Sequence, residues 1–134
     1  MALAVADAQV YPGLYVRFHN VAFLRTRIEI IDHFFAPDEV DEIWITFPDP
    51  QPQLTRENRR LTNKKFLSIY KQILKPGGCI HLKTDNIGLF EYTLEVLADE
   101  PGTMEVCTKD LYYDKPEGFN LSIQTTYEKK FMAE

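Results

Sequence analysis

Apolar residues along the chain come in short blocks whose period alternates between strand and helix. Val21 to Leu24 is a brief apolar run, and Arg25 to Phe35 then places Ile28, Ile31, Phe34 and Phe35 at helical spacing before Pro37 ends the segment. This predicts a strand followed by a helix. The β-branched and aromatic run Glu42 to Phe47 stops at Pro48-Asp49-Pro50, which predicts a second strand with a sharp carboxyl edge. Gln51 to Leu61 is polar and charged. Thr62 offers an N-cap for a helix carrying Phe66, Leu67, Ile69, Tyr70, Ile73 and Leu74, with Lys75-Pro76-Gly77-Gly78 as its stop. Cys79 to Leu82 reads as a third, buried strand, and Ile87 to Ala98 as a helix bearing Leu89, Phe90, Thr93, Leu94 and Leu97, closed by Pro101-Gly102. Further on, a strand is predicted over Glu105 to Tyr112, a loop over Lys115 to Asn120, and a short extended piece entering a helix over Leu121 to Phe131. Trp44, Phe47, Phe66 and Tyr70 recur at strand and helix periods and are assigned to packing. No internal repeat or low-complexity stretch is visible.

Strand, helix, strand, helix, strand, helix points to parallel strands joined by helical crossovers, an α/β fold. Open sheets of this kind bind ligands at the carboxyl ends of their strands. Two strand ends lead into polar sequence, Pro48-Asp49-Pro50 and Lys83-Thr84-Asp85-Asn86. If those strands are neighbours, Asp49 and Asp85 converge on one rim. Either acid read alone has a plainer role, Asp49 as a turn residue beside proline and Asp85 as the N-cap of the next helix.

With 134 residues and 45% hydrophobic composition, the chain suits one domain with a conventional core and needs no disulfide staples. Two cysteines, Cys79 and Cys107, fit small buried thiols in a reduced, cytoplasmic compartment. No signal-peptide pattern precedes the uncharged stretch Ala8 to Val16, and no apolar run approaches the roughly 18 residues of a membrane span. The formal net charge of −5 argues weakly against nucleic acid. That average hides a dipolar layout. Arg56, Arg59, Arg60, Lys64, Lys65, Lys71 and Lys75 lie close together against one acid, Glu57, while Asp32, Asp38, Glu39, Asp41 and Glu42 supply much of the negative charge. A basic loop after an Asp-bearing strand end suits a phosphate backbone, and the same charges also suit a solvated helix face.

Other chemistries find little support. Cys79 and His81 alternate along one strand, but no second pair stands at ligand spacing, so no metal site is expected. No nucleophile elbow is present, and His33 reads as a helix-surface residue. Gly77-Gly78 reads as a turn, because no spaced glycine fingerprint accompanies it.

Several segments, in this order and spacing, resemble the bacterial tRNA (guanine-N7)-methyltransferases: Asn20 to Leu24, Phe47 to Pro50, Arg59 to Thr62, Leu74 to Gly78, His81 to Asn86 with Gly88 to Phe90, and Thr125 to Glu128. The resemblance runs from about residue 20 to the C-terminus. It implies a mostly parallel, Rossmann-like class I methyltransferase sheet and transfer of a methyl group from S-adenosylmethionine to N7 of a guanosine in tRNA. It also implies that Asp49 is the catalytic acid beside the methyl donor. Asp85 and the stretch Thr125, Thr126, Tyr127 and Glu128 would contact the target nucleoside, with Arg56, Arg59 and Arg60 in the tRNA-binding loop.

The departures from the family pattern are specific. Gln51-Pro52-Gln53-Leu54 stands where the family has Trp, Pro and lysines, which puts Gln53 at a substrate-contacting position. Arg27-Ile28 stands where the family contacts the cofactor's adenine. The glycine-rich first turn is missing, as is a final strand, so the chain reads as a single partial methyltransferase domain, truncated at the N-terminus and slightly at the C-terminus, with residues 1–19 unassigned. An alternative is a catalytically inactive RNA-binding or structural fragment of such an enzyme. Missing strands would leave a sheet edge exposed, so a homodimer is a further expectation.

Overall fold

A computed structural model describes residues 2–3, 22–100, 102, 104–117 and 124–131. The expected strand residue Val21, the segment of family resemblance at residues 20–21 and the loop and extended residues 118–123 lie outside them. The chain divides into two units, residues 1–3 with 24–102, and residues 4–23 with 103–134.

In the first unit, β1 (Ala2–Leu3) pairs antiparallel with β2 (Leu24–Arg25). Instead of the helix expected over residues 25–35, a 3₁₀ segment covers Ile28–His33 and is kinked at Ile30, which has φ −122 and ψ 21. Three β-branched isoleucines crowd this stretch and disfavour a continuous helix. Its last turn closes with the Phe34 N–H donating to the Ile31 carbonyl, and His33 is exposed as expected. β3 (Val40–Thr46) follows, starting two residues earlier than its apolar run.

The polar stretch after β3 is not irregular throughout, because Leu54–Arg59 forms a second 3₁₀ turn. α1 (Lys64–Ile73) comes next, capped by Asn63 and not by Thr62. Asn63 Oδ1 accepts the Phe66 N–H at 3.0 Å, while the Thr62 hydroxyl is buried 2.7 Å from that of Thr93. Since Thr93 donates to the Leu89 carbonyl, Thr62 is the donor between the two hydroxyls. Phe66, Leu67, Tyr70 and Ile73 form the buried stripe of α1.

β4 (Leu74–Lys83) starts where α1 ends and pairs parallel to β3. Lys75-Pro76-Gly77-Gly78, expected as the turn before the strand, is a bulge within it: Val40 faces Leu74, and the next pair is Glu42 with Cys79. Gly77 takes φ +79, and a Cβ on Gly78 would stand 2.9 Å from the Lys75 carbonyl oxygen and 3.0 Å from that of Asp41. Only glycine lets the two backbones approach this closely. α2 (Ile87–Ala98) completes the unit within its expected bounds.

The β3–β4 pair with α1 as its crossover is the parallel core of a mixed α/β, Rossmann-like fold. Ile43 and Ile45 point inward with Ile80 and Leu82, and pack with Leu61, Phe66, Leu67, Tyr70, Ile73 and Val96. Burying each large side chain contributes about 1.5–3 kcal/mol. On the alternate positions stand Glu42, Trp44 and Thr46 opposite Cys79, His81 and Lys83. Trp44 therefore does not join that core: it is 41% exposed, stacks on His81 at 4.1 Å and donates from Nε1 to Glu42. The cysteines are also less buried than expected, Cys79 being intermediate and Cys107 exposed.

In the second unit, no strand forms over residues 105–112. Asp110 instead accepts the Tyr113 N–H at 3.0 Å and caps α3 (Leu111–Asp114), which ends at Lys115 with φ 43. An Asp side chain satisfying a helix donor competes with the extended conformation. α4 (Thr126–Phe131) is the helix expected toward the C-terminus.

Candidate active site at two parallel strand ends

The strand ends that lead to Asp49 and Asp85 are neighbours. Thr46 pairs with Lys83, and the Phe47 N–H donates to the Lys83 carbonyl at 2.7 Å, carrying the ladder one residue past β3. Asp49 and Asp85 therefore follow adjacent carboxyl ends of a parallel sheet, the position where open α/β folds hold ligands.

The turn bearing Asp49 is strained and tightly specified. Phe47 (φ 46) and Gln51 (φ 45) are both left-handed non-glycine residues flanking Pro48-Asp49-Pro50, each at a cost on the order of 1 kcal/mol or more. Pro48 is buried and Asp49 exposed. Asp49 Oδ1 accepts the Gln51 N–H at 2.9 Å, which compensates the left-handed turn and fixes the carboxylate. Beyond β4, the Thr84 hydroxyl accepts the Asn86 N–H at 3.1 Å and Asn86 Oδ1 accepts the Leu89 N–H at 2.8 Å. The N-cap of α2 is thus Asn86. The plainer role for Asp85, that of helix cap, is taken by its neighbour, and Asp85 stands exposed.

Six of the seven residues of the basic segment separate into three groups. Lys64, Lys71 and Lys75 pair with Asp99, Glu100 and Asp41 at 3.1, 2.5 and 2.7 Å. These are solvated surface pairs, each contributing little to stability. Arg56 and Arg59, on the 3₁₀ turn, are exposed and have no ion-pair partner among the described residues. Arg60 is only 8% exposed; its Nε donates to the Gln51 carbonyl at 3.2 Å and its guanidinium lies 4.3 Å from the centre of the Tyr92 ring. Burial, and next a hydrogen bond to Glu57, raise the Tyr92 phenol above its ordinary pKa, against the opposing charge of Arg60. Asn63 Nδ2 donates to the Asn58 carbonyl at 2.7 Å and ties this turn to α1. Beside it lies an open groove of about 480 Å³ lined by Leu54, Thr55, Asn58, Lys64 and Tyr92 among others.

Gln53 is exposed and precedes the 3₁₀ turn, its carbonyl accepting the Arg56 N–H at 2.9 Å. Arg27 is exposed and lies 3.6 Å from Glu29, while Ile28 packs partly buried against the core.

In the second unit, Thr125 and Glu128 form a reciprocal cap on α4. The Thr125 N–H donates to Glu128 Oε2 at 2.7 Å, and the Glu128 N–H donates to the Thr125 hydroxyl at 3.2 Å. The Tyr112 hydroxyl donates to Glu128 Oε1 at 2.6 Å, and Glu128 is 4% exposed. Burial, and next the bond to Glu128, raise the Tyr112 phenol above its usual pKa. Thr126 and Tyr127 face outward.

A sequence model of the family described as "Putative methyltransferase" matches residues 2–134. The chain belongs to this family. A tRNA (guanine-N(7)-)-methyltransferase of Bacteroides thetaiotaomicron is 47% identical over 98% of this chain and 53% of its own length. Proteins of the same name from Cytophaga hutchinsonii and Lactobacillus acidophilus are 44% and 41% identical over 84% and 85% of the chain, and 52% of their own lengths. The chain spans about half the length of the curated relatives it matches. The family match includes residues 2–19, which the motif reading leaves unassigned.

For this member of the methyltransferase family, sequence reasoning missed Gln51, Asn63 and Tyr92 as residues that hold the candidate site of the first unit together, and Tyr112 as the partner of Glu128 in the second. Asn63 stands directly before α1 and is as good a cap as Thr62, and Thr125-Thr126-Tyr127-Glu128 has capping-box spacing. Nothing local signals the left-handed Gln51 or the stack of Arg60 on Tyr92.

Proposed function

We propose that this chain acts in methyl transfer from S-adenosylmethionine to N7 of a guanosine in tRNA, in the cytoplasm. The observation that carries the reading is the placement of Asp49 and Asp85 at adjacent parallel strand ends, on a chain of this family, with the exposed Arg56 and Arg59 following Asp49 in sequence. Guanine N7 already holds a lone pair, so transfer depends on alignment more than on a strong base. Asp85 is the candidate to accept from the N–H edge of guanine, and in the second unit the outward-facing Thr126 and Tyr127 are the substrate-contacting candidates of the stretch, held in place by the reciprocal bonds of Thr125 and Glu128. Arg56 and Arg59 are the phosphate contacts, with Gln53 beside them. Presenting N7 takes the base out of its stack, as for other base-modifying enzymes.

The cofactor supplies an electrophilic methyl group on a sulfonium cation. Asp49 fits that charge, because Oδ2 has no partner among the described residues. Arg27, beside Glu29, and Ile28, packed on the core, offer the adenine no comparable side-chain contact. Gly77 and Gly78 belong to the β4 bulge and form no cofactor cradle. A second reading, an RNA-binding chain without transfer, rests on the exposed Arg56 and Arg59, which have no ion-pair partner among the described residues. Homodimerisation is a further proposal, checked by light scattering across micromolar concentrations, where a monomer would discard it. Among the described residues no helix is long and apolar enough to cross a membrane.

Methyl-labelled S-adenosylmethionine and bacterial tRNA decide between the readings. Label recovered at N7 of guanosine supports transfer. Salt-sensitive tRNA binding with no label, and no heat on titration with S-adenosylhomocysteine, supports the RNA-binding reading.

A further inference from the structure

Adjacent arginines end the 3₁₀ turn with opposite fates, Arg59 exposed and Arg60 buried. The buried one closes the turn, its N–H donating to the Glu57 carbonyl at 3.0 Å, and its backbone then becomes extended at φ −64 and ψ 129. Its side chain makes two contacts on separate elements, the Tyr92 ring of α2 at 4.3 Å and the Gln51 carbonyl at 3.2 Å. Gln51 is the left-handed residue whose N–H holds the Asp49 carboxylate at 2.9 Å. The strained residue is therefore gripped from both sides, at its N–H by Asp49 and at its carbonyl by Arg60.

We propose that Arg60 is a positioning residue for Asp49, a strut between α2 and the Asp49 turn, and not a phosphate contact. The inference rests on the proposed function insofar as Asp49 acts in transfer. A left-handed non-glycine residue persists only where its surroundings over-determine it. Without the bond to its carbonyl, Gln51 is free to relax toward ordinary φ, and the N–H that orients Asp49 turns with it. The opposite anchor, Tyr92, lies on α2, whose cap Asn86 directly follows Asp85. One guanidinium thus couples the Asp49 turn to the helix that begins beside Asp85. The role needs a planar group that stacks and donates from Nε together, which lysine does not provide. A phosphate contact would need only the charge.

The test compares Arg60→Lys, Arg60→Gln and Arg59→Gln in the full chain, with two readouts. Amide hydrogen exchange at Gln51, measured by NMR without substrate, should rise about fivefold or more in both Arg60 variants and stay at the wild-type rate in Arg59→Gln. In methylation assays both Arg60 variants should lose roughly tenfold or more in kcat with KM for tRNA within about twofold, and with an unchanged salt dependence of binding. Unchanged Gln51 exchange overturns the proposal. So does an Arg60→Lys enzyme with normal kcat, or an Arg60→Gln enzyme whose defect lies in KM and a shallower salt slope. Should Arg60→Gln fail to fold, Tyr92→Leu removes the stack and leaves the arginine; Gln51 exchange should again rise, and a wild-type rate overturns the strut. A wild-type chain that transfers no methyl group sinks the proposed function, while Gln51 exchange still decides the strut.

Discussion

Asp49 in the first unit and Glu128 in the second both accept a backbone N–H, yet their surroundings differ. Asp49 is exposed on a strained strand-end turn, with Oδ1 on Gln51 and Oδ2 without a partner among the described residues. Glu128 is 4% exposed, with one oxygen on the Thr125 N–H and the other on the Tyr112 hydroxyl. The two acids have the same chemistry, but one retains an oxygen for an outside group while the other is occupied in holding its own segment. The outward-facing part of the Thr125–Glu128 stretch is Thr126 and Tyr127. Burial and bonding, more than residue type, separate an exposed acid with one oxygen open from an acid that supports its own segment.

Replacing each acid should break this comparison in opposite directions. Asp49→Ala should lower kcat by about 100-fold or more while moving the melting temperature by only a few degrees, because an exposed strand-end carboxylate contributes little to the core. A collapse of the fold in that variant would mean Asp49 is structural. Glu128→Ala should instead cost about 2 kcal/mol, since it removes the acceptor of both the Tyr112 hydroxyl and the Thr125 N–H that caps α4. Denaturant unfolding, with exchange at the Thr125 amide as the local probe, reads that loss; an unchanged midpoint and a still-protected amide would remove Glu128 from the supporting class.

The middle of the fold was legible because each element there is long enough to show its period. β3, α1 and α2 show in Ile43, Trp44 and Ile45, in the stripe Phe66 to Ile73, and in Leu89 to Leu97. Errors fall where local chemistry competes with pattern. The isoleucines around residue 30 carry helical spacing but resist the helix, Lys75-Pro76-Gly77-Gly78 looks like a turn yet bulges within a strand, and Asp110 starts a helical turn in a stretch that reads as extended. For the candidate site, Asp49 and Asp85 were legible as polar residues after strands. Charge density along the chain places Arg60 with its exposed neighbours, because it carries no information about which side chain turns inward. The partner that decides it, Tyr92, lies on another helix.

The exposed arginine gives a smaller effect of its own. If Arg59 meets a phosphate, Arg59→Ala should weaken tRNA binding several-fold near physiological salt and make the slope of log affinity against log salt shallower by about 0.7–0.9. Binding measured by fluorescence anisotropy over a salt series checks it. An unchanged slope would place Arg59 with the solvated lysines of α1.

Tyr70 belongs wholly to the supporting class and gives the smallest effect. It is 2% exposed within the core, its hydroxyl has no partner among the described residues, and burial raises its phenol well above the ordinary value near 10. Between that ordinary value and the raised one, the unfolded chain has released the Tyr70 proton and the folded chain still holds it. The unfolded state then binds fewer protons, so stability is fully present below pH about 10 and falls as pH rises further, by up to about 1.4 kcal/mol per pH unit from this group. Tyr70→Phe removes an unpaired buried hydroxyl and that titration together, so at neutral pH it should change stability by no more than about 1 kcal/mol in either direction. Relative to wild type, the variant should then gain stability as pH rises above 10. Melting curves of the two proteins between pH 8 and about 11 check the sign, because a constant difference would mean that the Tyr70 phenol titrates alike in the folded and unfolded chain.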